Sequence, residues 1–304
     1  MPRRIGMGEG LLFFMQLFAS GIALGCLYAL IALGFVLILK ATDILNFAQG
    51  EIIMISAFIC YFLVTAFKVP FLPAVLATCL ITALMGVLTE RLILRPMLGE
   101  PVFAVVMVTI GLSIFLRSLV GIIFGHNNLV FPSPFPKKAV CMGGVILSQT
   151  QIWIMVSTLV LIVAFFIFFK YSRMGLAMRG TADDQNVALL MGISVKRVFA
   201  MIWGVSFVTA AVAGIFLANV MVINLGLSFV AISAFPAIIL GGLESIPGAI
   251  IGGLAIGVIE NFAGGYLDQV IGGGVKDVTP FVVLFLILMI KPYGLFGKKE
   301  IERV

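Results

Sequence analysis

From Val198 to Leu243 the chain carries no charged side chain. As one helix rising 1.5 Å per residue, this stretch would be about 69 Å long, against a bilayer hydrocarbon core of about 30 Å. It must fold back at least once, and Asn219, Asn224 and Gly226 mark the expected turn. Further runs with few or no charges span 11–39, 52–67, 69–89, 101–116, 139–169, 245–259 and 278–290. Of the 304 residues, 62% are hydrophobic and 11% charged, whereas soluble domains average about half apolar and a quarter charged. So few charges cannot clothe a water-soluble surface, and the excess apolar area must face a lipid bilayer. The expected fold is an all-α polytopic membrane protein with eight to ten transmembrane helices, broken or re-entrant segments among them. No polar segment is long enough to fold separately, so residues 1–304 read as a single domain.

Composition also removes several function classes. The net charge is +6, but Lys and Arg are scattered between apolar runs rather than gathered into a basic stripe, which argues against nucleic acid. Cys26, Cys60, Cys79 and Cys141 have no motif spacing and read as small apolar fillers. The single histidine, His126, cannot make a metal site by itself. The apolar run after Arg3 and Arg4 is far longer than a secretory core and lacks a small-residue cleavage site, so it is expected to remain as a span.

Positive charge orients the spans. Lys170, Arg173, Arg179, Lys196 and Arg197 lie within 170–197, and Lys291, Lys298, Lys299 and Arg303 in the tail. Both segments are expected in the cytoplasm, joined by the 89–101 connection with Arg91 and Arg95, while the Pro-rich 124–150 loop faces outside. Arg3 and Arg4 favour a cytoplasmic amino terminus, yet the simplest span count puts it outside. A break in the 11–39 run, or a re-entrant piece near 227–259, would remove the conflict.

Small residues recur at helical spacing: Gly21 with Gly25, Gly248 with Gly252, and Gly253 with Gly257. Such pairs let helix backbones approach closely in lipid. The segment Gly241-Gly242-Leu243-Glu244-Ser245-Ile246-Pro247-Gly248 implies interrupted helices, either as a tight cytoplasmic turn or as a lining element of a pathway. Asn46, Gln49 and Glu51 lie between two apolar runs and read either as a polar loop or as a helix break lining that pathway. Asn46, Gln49, Glu51, Gly241, Gly242 and Pro247 are thus the candidate translocation path. Other acids, Glu90, Glu244, Glu260 and Asp277, fall at run ends, and Asp277 or Thr279 before Pro280 reads as a helix start.

The stretch from Thr181 to Gly192 is the most informative polar segment. Thr181 with Asp184 three residues on has the spacing of a capping box, and Asp183 adds negative charge at the expected helix start. A short amphipathic helix is expected over about 182–191, with Val187, Leu190 and Met191 on one face and Gly192 in a left-handed turn after it. Such a helix either rests on the headgroups or offers a knob to a soluble partner.

Ala188 followed four residues later by Gly192 resembles the ATPase-docking loop of ATP-binding-cassette importer permeases. Asn186 and Val187 stand where that pattern has an acid and an alanine. The wider stretch Gly175-Leu176-Ala177-Met178-Arg179-Gly180 through Gly192-Ile193 is more specifically similar to branched-chain amino acid permeases. So are Leu27-Tyr28-Ala29-Leu30-Ile31-Ala32-Leu33-Gly34, Asn46-Phe47-Ala48-Gln49-Gly50-Glu51, Glu90-Arg91 with Arg95-Pro96, and Thr109-Ile110-Gly111-Leu112-Ser113. Leu240-Gly241-Gly242, Ser245-Ile246-Pro247-Gly248-Ala249 and Lys291-Pro292-Tyr293-Gly294-Leu295-Phe296-Gly297 complete the series, Lys291 standing where the family usually has arginine. The resemblance runs in order from 21 to 297 and is to the shorter of the two permease subunits.

It implies a bacterial inner-membrane importer in which two different permeases pair. Two ATPase subunits dock from the cytoplasm, and an external binding protein delivers leucine, isoleucine or valine. The docking loop would comprise Thr181, Asp184, Val187, Ala188, Leu190, Met191 and Gly192. No cofactor is expected in this chain, since ATP would be bound by the partner subunits. Urea and amide permeases are similar within the family. The rival from another class is an ion-coupled secondary transporter, against which the charge-free runs 11–39 and 198–243 weigh. A structural subunit without a conduit is a further alternative.

The sequence contains no G-x-x-x-x-G-K-[ST] loop to cradle phosphates and no nucleophile paired with a base. The purified chain should therefore hydrolyse no ATP in a coupled-enzyme assay. Turnover that co-purifies with this polypeptide through successive columns would overturn the division of labour.

Overall fold

The computed structural model describes residues 7–136, 139–142 and 144–297. Arg3, Arg4, Lys298, Lys299 and Arg303 lie outside the described residues. Eleven α-helices follow in order among the described residues: α1 Met7–Thr42, α2 Gln49–Thr65, α3 Phe71–Thr89, α4 Val102–Phe124, α5 Gln149–Tyr171, α6 Arg173–Asp183, α7 Gln185–Leu190, α8 Val195–Val220, α9 Val230–Gly241, α10 Ile246–Ile271 and α11 Val275–Ile290. Six of them, α1, α3, α4, α5, α8 and α10, are long and apolar enough to cross a membrane, while α2 and α9 are shorter apolar helices.

The run 139–169 divides, contrary to a continuous helix. Its first part is an antiparallel hairpin, β1 Ala139–Met142 and β2 Val145–Ser148, with Ala139 opposite Ser148. Ser148 then starts α5 through a reciprocal cap with Gln151. The run 101–116 continues through Arg117 to Phe124, so a charge lies inside α4. Glu260 also falls within a helix, α10, rather than at its end, where Tyr28 donates to its Oε2 at 2.8 Å. Nor does α11 start at Pro280; it begins at Val275 after Gly274, leaving Pro280 inside.

The two faces of the bundle follow from its contacts. Gln16 exchanges bonds with Ile146 (Nε2 to the carbonyl, 2.6 Å; amide to Oε1, 2.7 Å), so the early part of α1 lies beside the hairpin. The 11–39 run is unbroken, and α1 ends on the opposite face. There Lys40 and Asp43 line one cavity with Asp183, Glu244, Pro247 and Phe296. Arg95 reaches the Lys196 carbonyl on that same face, at 3.3 Å. The basic segments 89–101 and 170–197 and the start of the tail thus share one side, opposite the hairpin. α1 therefore starts on the hairpin side.

Packing depends on backbone approach. α1 runs antiparallel to α10, and a Cβ added at Gly25 would lie 2.7 Å from Leu254 Cα and 2.9 Å from its carbonyl oxygen. Gly21, Gly253 and Gly257 are equally tight against the facing backbone. α3 meets α8 in the same manner, with Gly86 against Trp203, which is fully buried. The segment α1–break–α2–α3 and the segment α8–break–α9–α10 repeat one plan in opposite directions, the first helix of each packing on the last helix of the other.

A Gly25→Leu substitution should cost at least about 1–3 kcal/mol, because neither backbone can yield without separating two long helices. Gly111→Leu, where an added Cβ meets nothing within 4 Å, serves as the control. Thermal unfolding in detergent should show a lowered midpoint for the first and little change for the second; equal midpoints would contradict close packing at this seam.

Candidate functional site

Two irregular segments interrupt the long apolar helices, one at residues 43–48 between α1 and α2 and the other at 221–229 between α8 and α9. Freed backbone groups at membrane depth must find partners within the protein. At the first break, Asn46 accepts from the Ala48 amide at 3.1 Å and donates to Gln49 Oε1 at 3.1 Å. Gln49 Nε2 donates to Ser206 Oγ on α8 at 3.2 Å, and Ser206 Oγ donates to the Gly34 carbonyl at 2.7 Å. Thr109 on α4 donates to the Leu45 carbonyl at 3.2 Å. Asn46 and Gln49 are buried in this network, which ties α1, α2, α4 and α8 together.

The second break has its own polar caps. Asn224 accepts from the Gly226 amide at 2.9 Å, and Ile223 pairs with Leu129 of the 125–136 loop in an isolated bridge. A single turn of 3-10 helix, Leu225–Phe229, then leads into α9. The two breaks touch: a Cβ at Gly50 would collide with the Ser228 carbonyl. Here Arg117 Nη2 donates to Glu51 Oε1 at 2.8 Å and to Ser228 Oγ at 2.8 Å, while the guanidinium lies 4.6 Å from the centre of the Phe229 ring. The ion pair joins α4, α2 and the second break.

Glu51 and Arg117 open onto a cavity of about 360 Å³, lined also by Phe35, Phe47, Ile110, Ile232 and Phe235. Of the sequence candidates, Glu51 lines this cavity with its neighbours Phe47 and Gly50, and Asn46 and Gln49 sit behind it. Gly241, Gly242 and Pro247 lie elsewhere, in the tight α9–α10 turn on the basic face. Ser245 caps α10 there by accepting from the Gly248 amide at 3.1 Å, and Gly242 takes φ 97°. The closing segment covers the end of α9, the Leu295 amide donating to the Leu240 carbonyl at 2.8 Å. Arg117 was not among the sequence candidates; its signal was a lone arginine interrupting an apolar run of helical length. Buried charges at Glu51 and Glu260 and the intramembrane Arg117 also weaken the case against ion coupling, which rested on the charge-free runs 11–39 and 198–243.

The 181–192 segment folds differently from the expected single helix. Thr181 is buried within α6, and Asp183 is the last residue of that helix rather than a charge at a helix start. Asp184 alone caps α7, its Oδ1 accepting from Asn186 and Val187 at 2.8 and 3.0 Å, because the chain kinks there instead of at residue 181. Ala188 faces inward onto Val195 and Phe199 of α8. Val187, Leu189, Leu190 and Met191 face outward, Leu190 being 87% and Met191 78% exposed. Gly192 takes φ 79°, as a left-handed exit requires.

Comparison with known proteins places this geometry. The sequence matches the family described as "Branched-chain amino acid transport system / permease component" over residues 17–290. It is 34% identical to the high-affinity branched-chain amino acid transport system permease protein LivH of Escherichia coli (strain K12), over 98% of this chain and all of that one. It is 35% identical to the permease protein BraD of Pseudomonas aeruginosa, over 96% of this chain and 98% of the relative. Among solved structures, PsaBC from Streptococcus pneumoniae in complex with Fab superposes with a TM-score of 0.50 and 14% identity, over 92% of each chain, a likeness of fold alone. With its apolar helices and these near full-length matches, the chain belongs to the branched-chain amino acid permease family of multi-pass membrane proteins.

Proposed function

We propose that this chain is one of two permease subunits of an ATP-binding-cassette importer that carries branched-chain amino acids across the bacterial inner membrane. An external binding protein delivers the amino acid on the hairpin side. Two ATPase subunits bind ATP on the basic side, and this chain contributes no cofactor. With α2, α9 and α11 added to the six long helices, the chain would cross nine times in one transmembrane domain. The positive-inside rule puts Arg91, Arg95, Arg179, Lys196 and Arg197 in the cytoplasm.

The observation that carries this reading is the tip of α7. Three large apolar side chains project from a six-residue helix on the basic face, with Met191 just beyond its end, held by the Asp184 cap and the Ala188 anchor. An amphipathic helix of this kind suits a groove on a soluble partner.

Leu190→Asp should leave membrane abundance unchanged, since Leu190 buries almost nothing, yet reduce ATPase co-purification about tenfold or more. Gly192→Val forces a branched residue into φ 79° and should act on the same readout. Normal co-purification and uptake in Leu190→Asp would show that α7 merely rests at the interface.

The sidedness can be read with a native residue, because Cys141 is exposed on the hairpin while Cys26 and Cys60 are buried. A membrane-impermeant maleimide should label Cys141 in intact cells with a permeabilised outer membrane. In a Cys141→Ser background, Arg179→Cys should label only after the cells are broken open. The opposite pattern would invert the orientation.

A further inference from the structure

The ion pair between Glu51 and Arg117 is costly where it lies. Arg117 is about 22 Å from the Val102 end of α4 at 1.5 Å per residue, well inside a bilayer core of about 30 Å. Charges at such depth are expensive unless paired, and apolar side chains of similar volume often hold helices together as well or better. The pairing is also incomplete. Both hydrogen bonds from the guanidinium leave Nη2, and Nε is buried without a partner. A guanidinium offers five N–H donors in a planar fork suited to a carboxylate.

The walls of the cavity have the opposite character. Phe35, Phe47, Ile110, Ile232 and Phe235 make them apolar, with charge only where Glu51 and Arg117 enter. Phe235 packs between Phe35 and Phe47 with ring centres 5.1 and 6.0 Å apart. The volume of about 360 Å³ lies near the lower limit of small-molecule sites, about 300–1,000 Å³. One positive and one negative group side by side in a wall otherwise built of aromatic and aliphatic side chains complement a zwitterion bearing a small apolar side chain.

We propose that Arg117 and Glu51 form a head-group site inside the membrane for a zwitterionic amino acid in transit. Arg117 takes the α-carboxylate, Glu51 takes the α-ammonium, and Phe35, Phe47 and Phe235 receive the branched side chain. This rests on the transport reading above and adds to it the place where the substrate is held. The same two residues bridge the breaks before α2 and α9, so occupancy of the site is coupled to the contact between those segments.

The test uses the complete importer in proteoliposomes. In the unmutated importer, photo-leucine, whose side chain carries a diazirine, is irradiated during turnover and its adducts are mapped by mass spectrometry. Adducts should fall on peptides containing Phe35, Phe47 or Phe235; adducts confined to other parts of the chain would overturn the site. The charge swap Glu51→Arg with Arg117→Glu, and the apolar pair Glu51→Leu with Arg117→Met, separate binding from structure. Both are compared for membrane abundance, thermal midpoint and leucine uptake. At least one should keep normal abundance and midpoint while uptake falls about tenfold or more. Uptake that recovers along with stability in either pair would reduce Glu51–Arg117 to a structural tie. If both pairs misfold, the adduct map decides. Absence of leucine uptake by the unmutated importer would instead overturn the transport reading, and this site with it.

Discussion

Interrupting a helix inside lipid frees amides and carbonyls that water cannot reach, and the rest of this structure is arranged around meeting that demand. The two interruptions meet where Gly50 packs on Ser228, and each is served by its own polar side chains. Asn46, Gln49 and Ser206 satisfy the first, and Asn224 and Ser228 hold the second. Thr109 and Arg117 on α4 reach one break each.

The second constraint is that lipid supplies no hydrophobic force to press helices together. Backbones therefore come close enough for dispersion contacts, which only glycine permits at Gly25, Gly86 and Gly257. Close seams between α1 and α10 and between α3 and α8 fix the frame within which the shorter α2 and α9 begin at depth. Seam and break are thus complementary: the rigid pairs on either side make it possible for the central segments to be irregular.

Much of this was legible in the chain because lipid imposes a strict composition. That the 198–243 run folds back followed from length, its place from Asn219, Asn224 and Gly226, and the small-residue spacing at Gly21 and Gly25 marked a close seam. The left-handed exit at Gly192 followed from its place after an apolar stretch. What sequence could not supply was depth. Run ends were taken at the first charge, so Arg117 and Glu260 were read as boundaries although each lies within a helix with partners from elsewhere in the chain. The short helix was likewise begun too early, because Thr181 and Asp184 have capping-box spacing while only Asp184 stands where the chain changes direction. Pairing across the fold, invisible to local pattern, decided each case.

The inward side chain of α7, Ala188, rests on Phe199 near the beginning of α8. Seven residues further along that helix, about 10 Å away, Ser206 holds Gln49 at the start of α2. No loop lies between these two points. In mechanical terms α8 is a connecting rod: its near end carries the exposed stub and its middle grips the first helix break. Any rotation imposed at the stub arrives at that break as a change in one serine–glutamine contact.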